Sequence, residues 1–221
     1  MSTFPRSPRL LKGGIILVDL NKPTVPLRMI ALQYNPDTLT RTLQVQGVGE
    51  NSGDRSQVLR LKGPPVETIK LEAEIDATDQ LEFPDENRHQ ATVTHGLHPI
   101  LAALETIIYP TLEQILSNDR LAQSGTLEII PMESSLTLFI WSQNRIVPVR
   151  LTEFSITEEA FDPALNPIRA KVSLGMRVLN INDLGFGNKG SDWYINYHRQ
   201  KEKLATLYQS GQIMTLGIKG I

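Results

Sequence analysis

The chain has 221 residues, with 22 basic and 24 acidic side chains and a formal net charge of -2. This near-neutral balance provides no basic excess for binding nucleic acid or an anionic membrane surface. The absence of cysteine excludes disulfides, thiolate catalysis and cysteine-ligated zinc. With 40% hydrophobic residues, the sequence predicts one large folded domain, alone or with an appendage.

The N-terminal half is predicted to be an extended arm followed by β-strands. Residues 1–10 are rich in proline and serine, which predicts the arm. Strands are predicted at 12–19, 27–34 and 39–46. A fourth strand shows the clearest alternation, with apolar side chains facing one way and charged ones the other: Ile69, Leu71, Ala73 and Ile75 against Lys70, Glu72, Glu74 and Asp76. Period two is typical of a half-buried strand with one solvated face.

The second half begins with a predicted helix at 98–116, whose apolar side chains recur every three or four residues. Pro110 is expected to kink or split this helix, because its ring removes one hydrogen bond and clashes with the preceding turn. Strands at 135–141 and 145–157 are predicted to form a hairpin. A further strand at 168–178 follows a turn-rich connection and alternates again, with one apolar face: Ile168, Ala170, Val172, Leu174, Met176 and Val178.

A final helix is predicted at 193–209, after a glycine-rich linker at 185–190 and a cap at Ser191 or Asp192. Large side chains recur along this helix and are candidates for a protein interface: Trp193, Tyr194, Tyr197, Lys201, Leu204 and Tyr208. Tyrosine combines apolar area with a polar tip, which suits such an interface. Packing of the same stripe against the sheet is an equally good interpretation.

Together these elements predict a mainly β fold of the α+β class, either a barrel or a two-sheet sandwich, with one central helix covering an opening. The predicted division is a β domain at 1–180 and an extension at 181–221, which holds the linker, the last helix and an apolar tail. The apolar run at 15–18 is too short for a signal-peptide core or a membrane span. We therefore expect no direct membrane insertion.

No pattern in the sequence predicts catalytic or cofactor chemistry. Glycines at 47–53 are similar to a dinucleotide motif, but their spacing is wrong and no convincing helix follows, so a loop is predicted. His95 and His98 lack an evident third ligand for a metal. The acidic side chains of the fourth strand alternate with an apolar face, which favours a solvated surface. We expect no enzymatic activity, no cofactor and no metal.

Three motifs follow one another in the order of a known family. The first two are at 32–39 and 63–71. The third is the most specific and joins an acidic-ended strand to a Phe-Asp-Pro turn and an Asn-Pro-x-Arg-Ala step: Phe161, Asp162, Pro163, Asn166, Pro167, Arg169 and Ala170. Together they resemble the N-terminal tube-like domain of baseplate proteins from contractile injection systems. These systems are phage-tail-like machines, and the family includes adaptors that bear a LysM module.

The resemblance covers residues 13–179 and implies a tube-like β fold that assembles into a ring, expected to be a hexamer. Such a ring would join the inner tube to the central spike or hub, in a phage-tail-like particle assembled in the cytoplasm. Its implied partners are further copies of the chain, the inner tube protein, the spike or hub protein and other baseplate proteins. No LysM pattern follows residue 180, so glycan binding is not carried over.

Two alternatives stay open beside this adaptor role. An inner tube subunit of the same machine would be present in far more copies per particle. A small β-sandwich enzyme or carbohydrate-binding module would need a concave site with perturbed titratable groups. Independently of these roles, Arg169 is expected to form an ion pair across the turn with Asp162 or Glu159.

Overall fold

The computed structural model describes residues 10–19, 22–47, 60–123, 125 and 135–208. Within these ranges the chain forms seven β-strands, six α-helices and one short 3-10 helix. Most of the predicted N-terminal arm, most of the glycine-rich loop at 47–53 and the apolar tail lie outside the described residues.

The strands form one antiparallel sheet in the order β2-β1-β5-β6-β7-β4-β3. Their bounds are β1 (Gly14–Asp19), β2 (Lys22–Ala31), β3 (Leu39–Gln44), β4 (Val66–Asp76), β5 (Leu136–Ser142), β6 (Arg145–Phe161) and β7 (Pro167–Val178). This confirms the prediction of an α+β chain built mainly on antiparallel strands. The second strand begins five residues earlier than predicted and ends at Ala31, before the turn at Asn35.

Most of the helices are short, but two of them have 12 and 18 residues. They are α1 (Thr78–Leu81), a 3-10 turn (Asn87–His89), α2 (Gln90–His95), α3 (His98–Glu105), α4 (Leu112–Gln123), α5 (Ile181–Leu184) and α6 (Lys189–Thr206). The predicted helix at 98–116 is split into α3 and α4 on either side of Pro110, as expected. The last helix starts four residues earlier than predicted, because the Asn188 side chain caps it by accepting the Gly190 N–H at 2.8 Å.

The core lies on the inner face of the curved sheet. The alternation predicted for β4 and β7 is confirmed, since their inward side chains are buried: Ile69, Leu71, Ala73 and Ile75 from β4, and Ala170, Val172, Leu174, Met176 and Val178 from β7. Each large apolar side chain buried in this way contributes about 1.5–3 kcal/mol. Phe139 of β5 and Val147 of β6 complete the centre of the cluster.

Two helices close opposite ends of this core. Ile100 and Leu104 of α3 lie against Ala73 and Ile75, near the C-terminal end of β4. Tyr197 of α6 is hydrogen-bonded near the N-terminal end of the same strand. Tyr194 and Tyr197 belong to the same cluster as the sheet, so α6 shares the main core with residues before 180.

The sheet curls until the end of β2 reaches the far end of β4. Just beyond β2, the Gln33 side-chain amide donates to the Asp76 carbonyl at 2.6 Å and accepts the Asp76 N–H at 2.9 Å. A side-chain amide thereby takes the place of a neighbouring strand at this position. The β2 end of the sheet is thus joined to β4, beyond the point where edge strand β3 ends, through the side chain of one residue.

Candidate assembly surfaces

The motif at 161–170 forms the turn between β6 and β7, and Asp162 organises it. One carboxylate oxygen accepts the backbone N–H groups of Ala164 and Asn166, each at 2.8 Å. The other oxygen accepts the Asn166 side-chain amide, also at 2.8 Å. These hydrogen bonds hold the pKa of Asp162 below its ordinary value. Asp162 and Asn166 of the motif therefore act together, because their hydrogen bonds satisfy the polar groups of a single turn.

The turn is docked against the junction of α2 and α3. Leu97 donates its backbone N–H to the Pro167 carbonyl at 2.8 Å. Gly96 lies beside this contact with a φ of 55°, a conformation that favours glycine. A Cβ atom at Gly96 would fall 2.5 Å from the Pro167 oxygen. The motif is thus fixed to the helical part of the molecule through a close backbone approach.

Replacing Gly96 with alanine should separate the turn from this junction. Backbone strain alone is expected to lower the free energy of unfolding by about 1–3 kcal/mol, and the clash with Pro167 adds to that loss. Urea denaturation measures the change. Gly187→Ala is the matched control, because Gly187 also has a positive φ but a Cβ atom there would meet no other atom within 4 Å. Equal losses in both variants would contradict a role for the close approach.

Arg169 does not pair with Asp162 or Glu159, and that expectation was wrong. Its guanidinium lies 2.8 Å from Asp76 instead, because the register of β4 and β7 places these two residues opposite each other. Burial raises the pKa of Asp76, but hydrogen bonds from Thr78 and the charge of Arg169 outweigh it and leave the pKa below its ordinary value. Glu159 pairs with Lys171 at 3.4 Å. Ala170, the last motif residue, is buried in the core.

Two large apolar side chains of this turn are exposed to solvent. Leu165 is 77% exposed and Phe161 is half-exposed. Leu165 also has a φ of 65°, the left-handed region in which a side chain other than glycine costs about 1–2 kcal/mol. An apolar residue that is both strained and exposed contributes little to the stability of its own chain. Contact with another molecule is the physical role that fits it.

A buried carboxylate fixes α6 to the sheet. Glu67 of β4 is 4% exposed and accepts a hydrogen bond from the Tyr197 hydroxyl at 2.9 Å. Arg41 of β3 and Lys201 of α6 approach the two carboxylate oxygens at 2.7 and 3.0 Å. The Lys201 ammonium also lies 4.0 Å from the centre of the Tyr197 ring. Four side chains from three elements therefore form one network, which we call the Glu67 cluster.

The neighbouring charges and hydrogen bonds of the Glu67 cluster set the protonation states of Glu67 and Tyr197. Burial raises the pKa of Glu67, but hydrogen bonds and charge from Lys201 and Arg41 outweigh this effect and lower the pKa overall. Burial, together with the Glu67 charge, raises the pKa of Tyr197 to about 12. At neutral pH the carboxylate is therefore ionised and the phenol is neutral, so the phenol acts as a donor.

The candidate interface on α6 divides into two halves. Tyr194 and Tyr197 are buried inside the chain, and Trp193 packs partly against Val18, Leu136 and Leu138. These three aromatic residues therefore pack against the sheet of their own chain and do not form a protein interface. Lys201 is committed to Glu67. Leu204 and Tyr208, near the end of the helix, remain exposed and are the members that a partner can reach.

Edge strand β2 carries an apolar surface that sequence reasoning missed. Val25, Leu27 and Met29 are large, apolar and exposed, with Met29 at 69%. Met29 pairs with Ile16, and Ile16 pairs with Leu138 of the second core cluster, so an apolar row continues from beneath Trp193 to the edge of the sheet. The alternation at 25–29 is visible in the sequence. Periodicity alone does not show whether another part of the chain covers this apolar surface, and in the described chain none does.

Helix α4 presents a second apolar surface. None of its side chains is buried, although Leu112, Ile115 and Leu116 are large and apolar. Their spacing of three and four residues places them on one side of the helix. The described chain therefore exposes large apolar side chains on α4, on β2 and at the β6–β7 turn, as well as at the end of α6.

The described part of the chain contains neither a group of three metal-binding side chains nor a helix that could cross a membrane. His95 and His98 are not joined there by a third residue that could complete a metal-binding group. Glu72 and Glu74 are exposed, as the alternation predicted. None of the described helices combines the length and apolarity needed to cross a membrane.

Comparison with known proteins adds no relative. No protein-family model matches the chain, and a search of curated proteins gives no match. The family assignment therefore depends on the three sequence motifs and stays a prediction.

Proposed function

We propose that the chain is a structural subunit of the baseplate of a phage-tail-like contractile injection system. In this role it assembles as a homo-oligomeric ring, expected to be a hexamer, and joins the inner tube to the spike or hub. The observation that carries the proposal is the set of three exposed apolar surfaces on β2, α4 and the β6–β7 turn. A small protein rarely exposes several such surfaces unless other molecules cover them.

The positions of these surfaces favour a ring over a two-fold dimer. β2 is one edge of the sheet, whereas the exposed Phe161 and Leu165 lie at the tip of the β6–β7 hairpin. A subunit that uses two different surfaces makes head-to-tail contacts, which close into a ring when the rotation between subunits permits. α4 and the exposed end of α6 then remain for contacts above or below the ring.

The motif turn links this assembly argument to the family resemblance. Asp162, Asn166 and Gly96 form a docked turn that holds Phe161 and Leu165 at the surface. The motif therefore holds two apolar side chains at the surface. A turn of this kind suits a protein whose work is to contact neighbouring subunits.

Sheared particles from the source organism provide the direct test. The chain should copurify with sheath, tube and spike proteins, and quantitative mass spectrometry should find far fewer copies of it than of the sheath protein. Absence from purified particles would overturn the proposal. A copy number equal to that of the tube protein would support the inner tube alternative.

Replacing Leu165 with glycine should separate assembly from stability. Relief of the strained φ offsets the added freedom of the unfolded chain, so the free energy of unfolding should stay within about 1 kcal/mol of the parent. Loss of a buried leucine contact should weaken assembly by about tenfold or more, measured by sedimentation velocity across a dilution series.

Ala160→Gly is the matched control for that variant, because Ala160 has a φ of 52° but carries only a methyl group. It relieves the same kind of strain and should assemble like the parent. If Leu165→Gly also assembles like the parent, the β6–β7 tip is not a subunit contact.

A further inference from the structure

An apolar cleft of about 340 Å³ opens where the residues after α3 meet β5 and β6. Its walls are formed mainly by large apolar side chains from separate parts of the chain: Ile107, Ile108, Leu136, Leu151, Leu179 and Leu184. Ile108 is half-exposed, so its side chain remains available to another molecule. A closed apolar cavity of roughly 150 Å³ already holds benzene, which makes this cleft large enough for one or two large apolar side chains.

The cleft continues into the exposed apolar surface of β2. Leu136 pairs with Val18 of β1, and Val18 pairs with Pro26 of β2. Pro26 lies between Val25 and Leu27, which are both exposed. Since paired residues share a face of the sheet, a row of side chains leads from the cleft to the edge of the sheet. A molecule that fills the cleft can therefore cover part of the β2 surface at the same time.

The cleft also contains a cation without an acidic partner. Arg150 lines it, is exposed, and lies opposite Arg177 of β7. Arg177 pairs with Asp183 at 2.7 Å, whereas Arg150 forms no ion pair within the described chain. Like charges that lie opposite each other are destabilising. An acidic group from another molecule would therefore be favoured beside Arg150.

The β6–β7 turn has the complementary properties. Its exposed Phe161 and Leu165 are apolar, and residues 158–167 contain three acidic residues and no basic one. Glu158 is exposed and forms no ion pair with a described residue. The turn thus offers two apolar side chains beside negative charge, while the cleft offers an apolar wall beside Arg150.

A chain cannot place its own turn in its own cleft. The turn is docked at Leu97, which precedes α3, whereas Ile107 and Ile108 follow the last residue of the same helix. α3 has eight residues and separates the two places by about 12 Å. A β6–β7 turn that occupies this cleft must therefore belong to a second copy. Because turn and cleft are different surfaces, the contact between the two copies is head-to-tail.

We propose that Phe161 and Leu165 of one copy insert into the cleft of the next copy, where Arg150 faces the acidic residues of the inserted turn. This inference rests on the proposed function, because it names the surface that receives the β6–β7 tip within the ring. The same contact, repeated from copy to copy, closes into a ring when the rotation between subunits permits.

Engineered cysteines test this contact directly, because the chain contains no cysteine of its own. Chains with Leu165→Cys are mixed at high concentration with chains with Ile108→Cys and oxidised. A disulfide requires Cα atoms within about 7 Å, so the mixed disulfide forms efficiently only if the tip of one chain reaches the cleft of another. Its yield should exceed that of Leu165→Cys with Phe186→Cys by about tenfold or more, because the contact raises the effective concentration of the two thiols.

Phe186 is a suitable control position, because its side chain is exposed and lines no part of the cleft. Equal yields with Ile108→Cys and with Phe186→Cys would overturn the proposal. Disulfides that form mainly between two Leu165→Cys chains would also overturn it, because they would show a tip-to-tip contact.

The thiol introduced at position 108 shows whether another copy or the same chain fills the cleft. In Ile108→Cys it should react with a soluble maleimide about tenfold or more slowly at high protein concentration than in dilute solution, because only chains with an open cleft react. Adding Leu165→Gly should remove this difference. Slow reaction at every concentration would show that the chain covers its own cleft, and fast reaction at every concentration that no copy enters it. Either result would overturn the proposal.

Reversing the charge in the cleft tests the role of Arg150. Arg150→Glu, added to the Ile108→Cys chain, should lower the yield of the mixed disulfide about tenfold or more, because it places a carboxylate against the acidic turn. Lys203→Glu is the matched control, since it makes the same change of charge at an exposed residue of α6 that lines no part of the cleft. Equal yields in the two variants would overturn the contact between Arg150 and the turn.

The mixed disulfide and the particle experiment separate this contact from the baseplate role. Copurification with particles, without the mixed disulfide, would leave the baseplate role standing and overturn the cleft contact alone. The mixed disulfide in a chain that is absent from purified particles would support the cleft contact and overturn the baseplate role.

Discussion

Replacing Glu67 with alanine should lower the free energy of unfolding by about 3 kcal/mol, because it leaves two cations and a phenol without their shared acceptor. Removing one partner of a buried ion pair typically costs about 3–5 kcal/mol. The lower end is expected here, since Arg41 and Lys201 are partly exposed and can regain water. Urea denaturation, followed by circular dichroism, measures the loss.

The exposed pair of Lys70 and Glu153 is a matched control. Its atoms also lie 2.7 Å apart, but both side chains are more than half exposed. Glu153→Ala should therefore change the free energy of unfolding by about 0–1 kcal/mol. Similar losses in Glu67→Ala and Glu153→Ala would contradict the view that burial makes the Glu67 cluster strong.

The pH dependence of the Glu67 contribution follows from its lowered pKa. A carboxylate with a lowered pKa stabilises the folded chain above its ordinary pKa, here 4.5, and this contribution is lost as the pH falls through the lowered value. The difference in unfolding free energy between the parent and Glu67→Ala should thus be constant near neutral pH and shrink below about pH 4.5. A gap that widens on acidification would contradict the assignment.

Placing charge on the outer edge of the sheet should abolish assembly while preserving the fold. In the L27D/M29D variant two exposed apolar side chains become carboxylates, which a subunit interface would have to bury without partners. An unpaired buried charge costs several kcal/mol, so the variant should remain monomeric at concentrations where the parent is expected to form the proposed ring. Light scattering after size-exclusion chromatography measures the molar mass, and therefore the oligomeric state, of the variant and the parent.

Phe186→Asp is the control for this edge variant. Phe186 is also large and exposed, but it lies in the loop between α5 and α6 and belongs to none of the proposed surfaces on β2, α4 and the β6–β7 turn. The Phe186→Asp variant should assemble like the parent. The thermal unfolding of Phe186→Asp and of L27D/M29D should be similar, because neither variant changes a buried residue. Normal rings from L27D/M29D would exclude β2 as an assembly surface.

The sheet core could be predicted because strand periodicity assigns side chains to faces. Ile69 and Met176 lie where the alternation of their strands placed them. The same rule could have found the Glu67 cluster. Glu67 shares its face with Ile69, and Arg41 shares its face with Leu39, so opposite charges occupy the apolar faces of two strands. A buried ion pair is the usual way to satisfy such charges.

Other features were not predictable because they depend on contacts distant in the chain. The pairing of Arg169 with Asp76 joins residues 93 positions apart, and only the register of β4 and β7 brings them together. Helical spacing placed Tyr194, Tyr197 and Tyr208 on one stripe, but it did not tell where the sheet stops covering that stripe. Which faces are covered is a property of the tertiary structure.

The two hydrogen bonds between Gln33 and Asp76 connect the β2 end of the curled sheet to β4. They are the weakest connection around the sheet. Neighbouring strands of the sheet share a ladder of backbone hydrogen bonds, whereas this contact consists of two hydrogen bonds made by one side chain. Only two hydrogen bonds close this contact, so they should break at lower free energy than a full ladder of the sheet, while Ile30, Leu32, Ala73 and Ile75 stay packed beneath them. Within the proposed ring, this contact is the place where the perimeter of the subunit can change without the loss of a strand ladder.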